Sequence, residues 1–206
     1  DRFPLAGRLV GLTRYLDAQL LTGFDLVFLY DPGNGLSVLR GAERLQDWPA
    51  MKELGPWPRD PRDAVDVVSR YLRYRANLRA LGRGDDLHVA CIVRGADQVL
   101  PSSRQGGFEV ASLASLVRDW ASEPPFADLA FASFLIADNL NDLHPQVANN
   151  PRVARVRVPL PDATVLQAAL AQLRVDHAAA FDPQSSDAAA AESLGGVSIA
   201  ALQSLV

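Results

Sequence analysis

The sequence contains few residues of several types, and each shortage excludes a class of function. Its 206 residues include a single cysteine, Cys91, so a disulfide within the chain is excluded and a reducing, cytoplasmic location is predicted. The formal net charge of −4 gives no basic surplus to support a nucleic-acid partner. No apolar run approaches the ~20 residues of a membrane-spanning helix, so no membrane partner is predicted.

Signatures of metal and nucleophile sites are missing as well. The three histidines, His88, His144 and His177, lie at no metal-ligand spacing from cysteine or carboxylates, so no metal site is predicted. No G-x-S-x-G or comparable nucleophile motif occurs. Cys91 lies within the apolar run 89–93 and is interpreted as a small core residue rather than a reactive thiol.

The apolar residues that are present follow strand and helix patterns in turn. They make up 49% of the chain, which is enough to bury a core. Strands are predicted at 26–30, 87–93, 131–137 and 153–158. Helices are predicted over about 5–22, 63–81, 109–121 and 162–176, with weaker helical periodicity over 36–46. Strands separated by helices predict an α/β fold, with a mostly parallel sheet and helices on both faces.

The order of motifs in the second half of the chain carries a resemblance. A hydrophobic strand ends at Asn139, a loop with Leu143-His144-Pro145 follows, and Pro151-Arg152-Val153 precedes a strand and a Pro-Leu-Pro-Asp turn. This order resembles the second half of an AAA-type ATPase module, a member of the AAA+ superfamily with the P-loop NTPase fold. The tail at 194–202 resembles a helix start in the AAA lid. The resemblance therefore implies an α/β core at 1–162 and a partial helical lid at 163–206.

The resemblance also implies roles for two polar residues, and each role has an alternative. Asn139 stands where the family has the Asn that senses the nucleotide γ-phosphate, but a loop Asn also commonly satisfies its own backbone. Arg152 stands where it could act as an arginine finger that reaches into a neighbouring subunit. A solvent-facing strand edge is the competing interpretation of Arg152.

The sequence contains only part of the set of residues that ATP hydrolysis requires. Such a module needs a lysine on the phosphates and acidic groups on Mg²⁺ and the attacking water. The only lysine of the chain is Lys52, far from any Gly-rich turn. Segment 28–37 resembles the phosphate loop with one residue deleted and Leu36 in place of the lysine. Arg94 and Gly95 stand where the family has Asp-Glu, and an arginine there repels Mg²⁺. No catalytic residue is therefore predicted.

The segment around residues 31–37 has two interpretations. As a remnant nucleotide site, it would contribute Gly33, Asn34, Gly35 and Ser37, together with Asn139. As a hairpin turn between two apolar stretches, it would use the positive φ available to the glycines and Asn34. In that second case 26–30 is a later strand, and the first strand of the module lies upstream of the chain. Both interpretations stay open on the sequence.

The resemblance implies a degenerate, non-hydrolysing pseudo-ATPase module of a larger ATP-hydrolysing AAA protein. The chain starts at Asp1 rather than Met, which suggests a piece of a longer protein. Homo-oligomer contacts and a surface for a protein substrate or adaptor are the implied partners. ATP is the cofactor implied for the larger protein, and none is predicted for this segment. Two alternatives are a module that binds ATP or ADP without Mg²⁺-dependent hydrolysis, and an interaction scaffold without nucleotide.

Overall fold

The computed structural model describes residues 2–6, 8–102, 107–182 and 185–204. The strands in this part of the chain are β1 (Arg2–Leu5), β2 (Arg8–Gly11), β3 (Leu26–Asp31), β4 (Gly35–Arg40), β5 (Val89–Val93) and β6 (Phe131–Leu135). The α-helices are α1 (Leu12–Gln19), α2 (Pro61–Ala80), α3 (Ala96–Val99), α4 (Phe108–Ser122), α5 (Pro145–Ala148), α6 (Ala163–Asp176), α7 (Asp187–Ser193) and α8 (Ile199–Gln203). Turns of 3-10 helix lie at Ala42–Leu45, Pro49–Lys52, Phe126–Asp128, Leu140–Asp142 and Ala178–Ala180.

The chain divides into two compact units. Residues 23–155 form the first, which we call the sheet unit. Residues 1–22 and 156–206 form the second, which we call the helical unit. The sequence-based division at 162 instead groups 1–22 with the α/β core. The structure groups these residues with the C-terminal helices because Leu9 of β2 packs against the apolar cluster that α6, α7 and α8 bury.

The sheet unit contains a four-stranded, mostly parallel sheet flanked by helices, which confirms the predicted fold class. The strand order is β4-β3-β5-β6, in which β3, β5 and β6 are parallel and β4 is antiparallel to β3. The parallel strands β3 and β5 are almost wholly apolar and buried, as expected where both faces of a sheet are covered.

Helix α2 shows why the sequence forms these elements. Asp60 caps its first turn by accepting hydrogen bonds from the backbone N–H groups of Arg62 and Asp63, at 2.8 and 3.2 Å. Pro61 occupies the first helical position, where a missing N–H has no cost. The helix buries one apolar face, which includes Val68 and Leu72, in the core of the sheet unit.

Three local predictions are wrong. Residues 5–22 form the hairpin β1–β2 and then α1, because residues 2–11 satisfy their backbone groups by antiparallel pairing before the helix begins. Residues 36–46 form β4 and a 3-10 turn rather than a helix, because β4 pairs with β3. Residues 153–158 are exposed and are not a strand, since they have no strand partner among the described residues.

Within the described residues, no helix is long and apolar enough to cross a membrane.

Candidate functional site

The carboxyl ends of β3, β5 and β6 bring most of the predicted site residues to one edge of the sheet. Ligands of open α/β sheets bind in the crevice outside such ends. Asn34 lies just after β3, Arg94 just after β5 and Asn139 four residues after β6. Backbone hydrogen bonds tie these connections together: Arg94 N–H donates to Tyr30 O at 2.9 Å, and Ala96 N–H donates to Ile136 O at 2.8 Å. This edge is the candidate site.

Residues 31–35 form a hairpin turn, which is the second of the two interpretations of this segment. The turn leads directly into β4, which runs back antiparallel to β3, so residues 28–40 do not adopt the strand–loop–helix form of a phosphate loop. Gly35 has a φ of +81°, and a Cβ there would lie 2.7 Å from Pro58 O. The Ser37 hydroxyl donates to Leu29 O across the hairpin at 3.3 Å. The interpretation as a remnant phosphate loop is therefore wrong in its geometry. Nucleotide binding near this turn stays a prediction.

The turn is closed by the carboxylate of Asp31. Its Oδ1 accepts hydrogen bonds from Gly33 N–H at 3.0 Å, from Asn34 N–H at 3.1 Å and from Asn34 Nδ2 at 3.0 Å. These are the backbone amides that a phosphate cradle would present to an anion. In this protein they are bound to a carboxylate of the chain itself.

Arg94 completes the same arrangement from the next strand. Its Nη1 lies 2.9 Å from Asp31 Oδ2. The Asp31 side chain is only 15% exposed, so this pair is partly shielded from water. Gly95 follows in the left-handed conformation, with a φ of +57°, and starts α3. Arg94 is therefore a cation that is already paired within the chain.

The remaining charges at this edge are mainly negative. Three further carboxylates follow β5 and β6: Asp97, Asp138 and Asp142. Asp138 and Asp142 are exposed. A triphosphate would meet these negative charges without the lysine that normally offsets its own. Within the described residues, no group of three or more His, Cys, Asp or Glu side chains could hold a metal ion.

The side chain of Asn139 forms a hydrogen bond within its own loop. Its side-chain oxygen accepts a hydrogen bond from Asn141 N–H at 3.0 Å and caps the 3-10 turn Leu140–Asp142. Asp142 O in turn accepts from Ser102 N–H at 2.8 Å. The loop role of Asn139, in which the side chain satisfies its own backbone, is thus present in the structure. Whether Asn139 also meets a nucleotide stays a prediction.

Arg152 lies away from this edge, in the turn after α5. Its backbone N–H donates to Asn150 Oδ1 at 3.0 Å, and Asn150 Nδ2 donates to Ser122 Oγ at 3.0 Å. The Arg152 side chain is exposed, and no partner for its guanidinium is found among the described residues. Since 153–158 is not a strand, the strand-edge interpretation of Arg152 is wrong.

Burial raises the pKa of Cys91 and of Tyr30, which both lie in the core of the sheet unit. It raises the pKa of the Cys91 thiol to about 12, so this cysteine is not a thiolate nucleophile at neutral pH. It also raises the pKa of Tyr30, with smaller contributions from Asp60 and Asp31. The Tyr30 hydroxyl donates to Arg59 O at 2.8 Å and so fixes the start of α2 against β3.

Sequence reasoning missed the central residue of this site, Asp31. The signal was the Asp at the first position of a turn that contains Gly33, Asn34 and Gly35, since an Asp there commonly accepts hydrogen bonds from the turn backbone. Its partner Arg94 could not be assigned, because only the parallel pairing of β3 and β5 brings the two side chains together.

The sheet and its carboxyl edge define a Rossmann-like α/β domain in which a closed hairpin joins β3 to β4. Residues 1–159 match the family model described as the AAA+ chaperone, N-terminal Rossmann-like domain. The chain belongs to this family and is thereby related to larger AAA+ proteins. A comparison with curated proteins finds no match.

Proposed function

We propose that this chain is a non-hydrolysing module of a larger ATP-hydrolysing AAA+ protein, in which it supplies oligomer contacts, regulation, or a surface for a protein substrate or adaptor. The ion pair between Arg94 and Asp31, 2.9 Å apart, carries the proposal. It replaces a metal-binding acid with a paired cation at the edge where hydrolysis would occur. The absence of a lysine other than Lys52 supports the same conclusion.

Between the two alternative functions, the structure favours a scaffold without nucleotide. A module that held ATP or ADP without Mg²⁺ would need free backbone amides or cationic side chains for the phosphates. The amides of Gly33 and Asn34 are bound to Asp31, and Arg94 is bound to the same carboxylate. A nucleotide would have to break these contacts before it could bind.

Calorimetric titration of the isolated chain with ATP and with ADP, each with and without Mg²⁺, tests the proposal. We expect no saturable heat and no phosphate release above buffer. Saturable binding that does not need Mg²⁺ would establish the nucleotide-binding alternative. Phosphate release that depends on Mg²⁺ and is abolished by Ser37→Ala would overturn the non-hydrolysing role altogether.

A further inference from the structure

A pocket of about 410 Å³ lies at the amino ends of β5 and β6, at the opposite edge of the sheet from the candidate site. Its walls are the C-terminal turns of α2, the loop at 85–88 and the turn at 128–130 that precedes β6. All of these belong to the sheet unit. The volume falls within the range of pockets that hold small ligands or single side chains of a partner. We call it the amino-edge pocket.

Hydrogen bonds within the chain hold the walls of the amino-edge pocket together. Arg75 Nη2 donates to Asp85 O at 2.6 Å, and Arg79 Nη1 donates to Asp128 O. Val89 N–H donates to Ala130 O at 2.9 Å and joins the other two walls. The two arginines therefore tie α2 to both neighbouring walls, and residues of this chain set the shape of the pocket.

The pocket has an apolar floor and a charged wall, both of which α2 supplies in part. Leu72, Arg75 and Arg79 are spaced three and four residues apart, so they lie on one face of the helix. The core of the sheet unit buries this face at Leu72, and the next two turns bring the arginines to the pocket. The floor consists of buried or half-buried apolar side chains: Leu72, Leu87, Val89 and Leu129.

The charged wall offers two guanidinium groups to an anion. Arg75 is half-buried, and among the described residues no carboxylate lies within ion-pair distance of it. A guanidinium has five N–H donors, so donors remain after the bond to Asp85 O. Arg79 Nε lies 3.9 Å from Asp86 Oδ1, but these side chains are 56% and 87% exposed, so that pair is weak. Both arginines are thus oriented by backbone carbonyls and available to a ligand.

The rim of the pocket decides which kind of anion fits. Asp85, Asp86 and Asp128 are exposed there and would repel a bare or multiply charged anion such as phosphate. The same carboxylates can accept hydrogen bonds from the N–H groups of a peptide backbone. A single carboxylate carried on an apolar peptide therefore suits the floor, the arginines and the rim together.

We propose that the amino-edge pocket binds a short segment of a protein partner that places an apolar side chain on the floor and a neighbouring carboxylate at Arg75 and Arg79. The carboxylate belongs either to the end of the partner chain or to an acidic side chain. The proposal gives the chemistry of the substrate or adaptor contact in the proposed function and rests on that function.

An NMR titration of the ¹⁵N-labelled chain with N-acetylleucine tests the pocket. This probe has one apolar side chain and one free carboxylate. We expect saturable shifts at the backbone amides of Leu87, Val89 and Ala130. N-acetylleucinamide lacks the charge and acetate lacks the apolar body, so each should bind more weakly by about tenfold or more.

Fluorescence anisotropy with labelled peptides identifies the source of the carboxylate. Gly-Ser-Gly-Ser-Leu with a free carboxyl terminus is compared with the amidated peptide Gly-Ser-Leu-Glu-Ser. Binding of the first alone assigns the carboxylate to the end of a partner chain, and binding of the second assigns it to an acidic side chain. Binding of neither contradicts a peptide ligand.

Two variants remove different parts of the pocket. Arg75→Met keeps the stem but removes the charge and should weaken N-acetylleucine binding by about tenfold or more. Arg70→Met, at an exposed position of α2 outside the pocket, is its control. Ala130→Trp, at an exposed lining position, should fill the pocket and abolish binding, whereas Ala127→Trp, exposed and outside the lining, should not. Thermal melts check folding, and if Arg75→Met is unfolded, the tryptophan pair decides.

Asp86→Asn distinguishes an anionic from a cationic ligand. It removes a competing carboxylate beside Arg79, so N-acetylleucine should bind more tightly by about twofold or more, whereas a cationic ligand would bind more weakly. Titration of N-acetylleucine and of its amide against this variant measures the sign.

Three outcomes would overturn the proposal. They are the absence of saturable shifts at the highest soluble probe concentrations, equal binding of N-acetylleucine and its amide, and binding that Ala130→Trp leaves unchanged. In each case, an ATP titration without saturable heat would still support the non-hydrolysing role. Failure of the pocket and failure of the proposed function are thus separable.

Discussion

Asp31 and Arg94 link the carboxyl ends of two neighbouring parallel strands, with Asp31 Oδ2 and Arg94 Nη1 2.9 Å apart. The other oxygen of Asp31 accepts the backbone N–H groups of Gly33 and Asn34. One carboxylate therefore closes the hairpin turn and pairs the only cation that follows the described parallel strands directly. The charges of Asp31 and Arg94 are thus balanced by contacts within the chain.

Replacing Asp31 should destabilise the sheet unit. Asp31→Ala removes the acceptor of the turn amides and leaves Arg94 unpaired, and losses of this kind typically cost about 1–3 kcal/mol. Urea unfolding followed by circular dichroism measures the change. The matched control is Asp138→Ala at the same edge, where the exposed side chain should contribute less than about 0.5 kcal/mol. Equal effects of the two substitutions would contradict the role assigned to Asp31.

Gly35 should tolerate no side chain. Its φ of +81° disfavours L residues, and a Cβ would lie 2.7 Å from the carbonyl oxygen of Pro58. Gly35→Ala should therefore cost more than the roughly 1 kcal/mol of left-handed strain alone. Gly55, with a φ of +63° and open space around it, separates the two causes. In thermal melts, Gly55→Ala should show the strain alone, whereas Gly35→Ala should also show the clash.

The sequence alone predicts an element correctly where neighbouring residues determine its structure. Helix α2 carries its own cap, Asp60, and its own apolar face, so its position and type were predicted correctly. Local patterns failed where a distant partner decides the outcome. In residues 5–22 the apolar positions fit a helix, but antiparallel pairing of 2–11 takes precedence. Residues 153–158 have the propensity of a strand but find no strand partner among the described residues.

Tyr71 should make stability fall at high pH. Burial, the main cause, raises its pKa from the ordinary 10.0 to about 12. Between these values the unfolded chain loses the phenol proton while the folded chain keeps it, so the free energy of unfolding falls as pH rises, by about 2–3 kcal/mol in total. Below pH 10 this contribution is constant.

The substitution Tyr71→Phe isolates this effect. The Tyr71 hydroxyl is buried and has no hydrogen-bond partner among the described residues, so its removal at pH 7 should be neutral or stabilising by about 1 kcal/mol. Chemical unfolding at a series of pH values from 8 to about 12 compares the two proteins. Parallel pH curves for Tyr71→Phe and wild type would contradict the assignment.

Arg152 should matter only in the larger AAA+ oligomer. If its exposed guanidinium acts on a nucleotide in a neighbouring subunit, Arg152→Ala should lower ATP turnover by about 10³-fold, the typical contribution of an arginine finger. The melting temperature of the isolated chain should be unchanged. Arg83→Ala, at another exposed arginine, is the control. Unchanged turnover at an unchanged oligomeric state would make Arg152 an ordinary surface residue.

Restoring the missing groups should not restore a nucleotide site. The triple substitution Arg94→Asp, Gly95→Glu and Leu36→Lys supplies the acids and the lysine of an active module. In the hairpin, however, Leu36 is 3% exposed and pairs with Tyr30, so a lysine there places a charge in the core. Loss of Arg94 also leaves the Asp31 carboxylate unpaired beside two new acids.

We therefore expect the triple variant to be less stable by about 2 kcal/mol or more and to give no saturable heat with ATP. Ser37→Lys is the matched control, because Ser37 is the exposed neighbour of Leu36 on β4 and a lysine there stays in water. That variant should melt close to the wild type. Saturable ATP binding by a triple variant with an undiminished melting temperature would show that the turn can open into a phosphate loop, since a closed hairpin offers the triphosphate neither free amides nor room for the lysine.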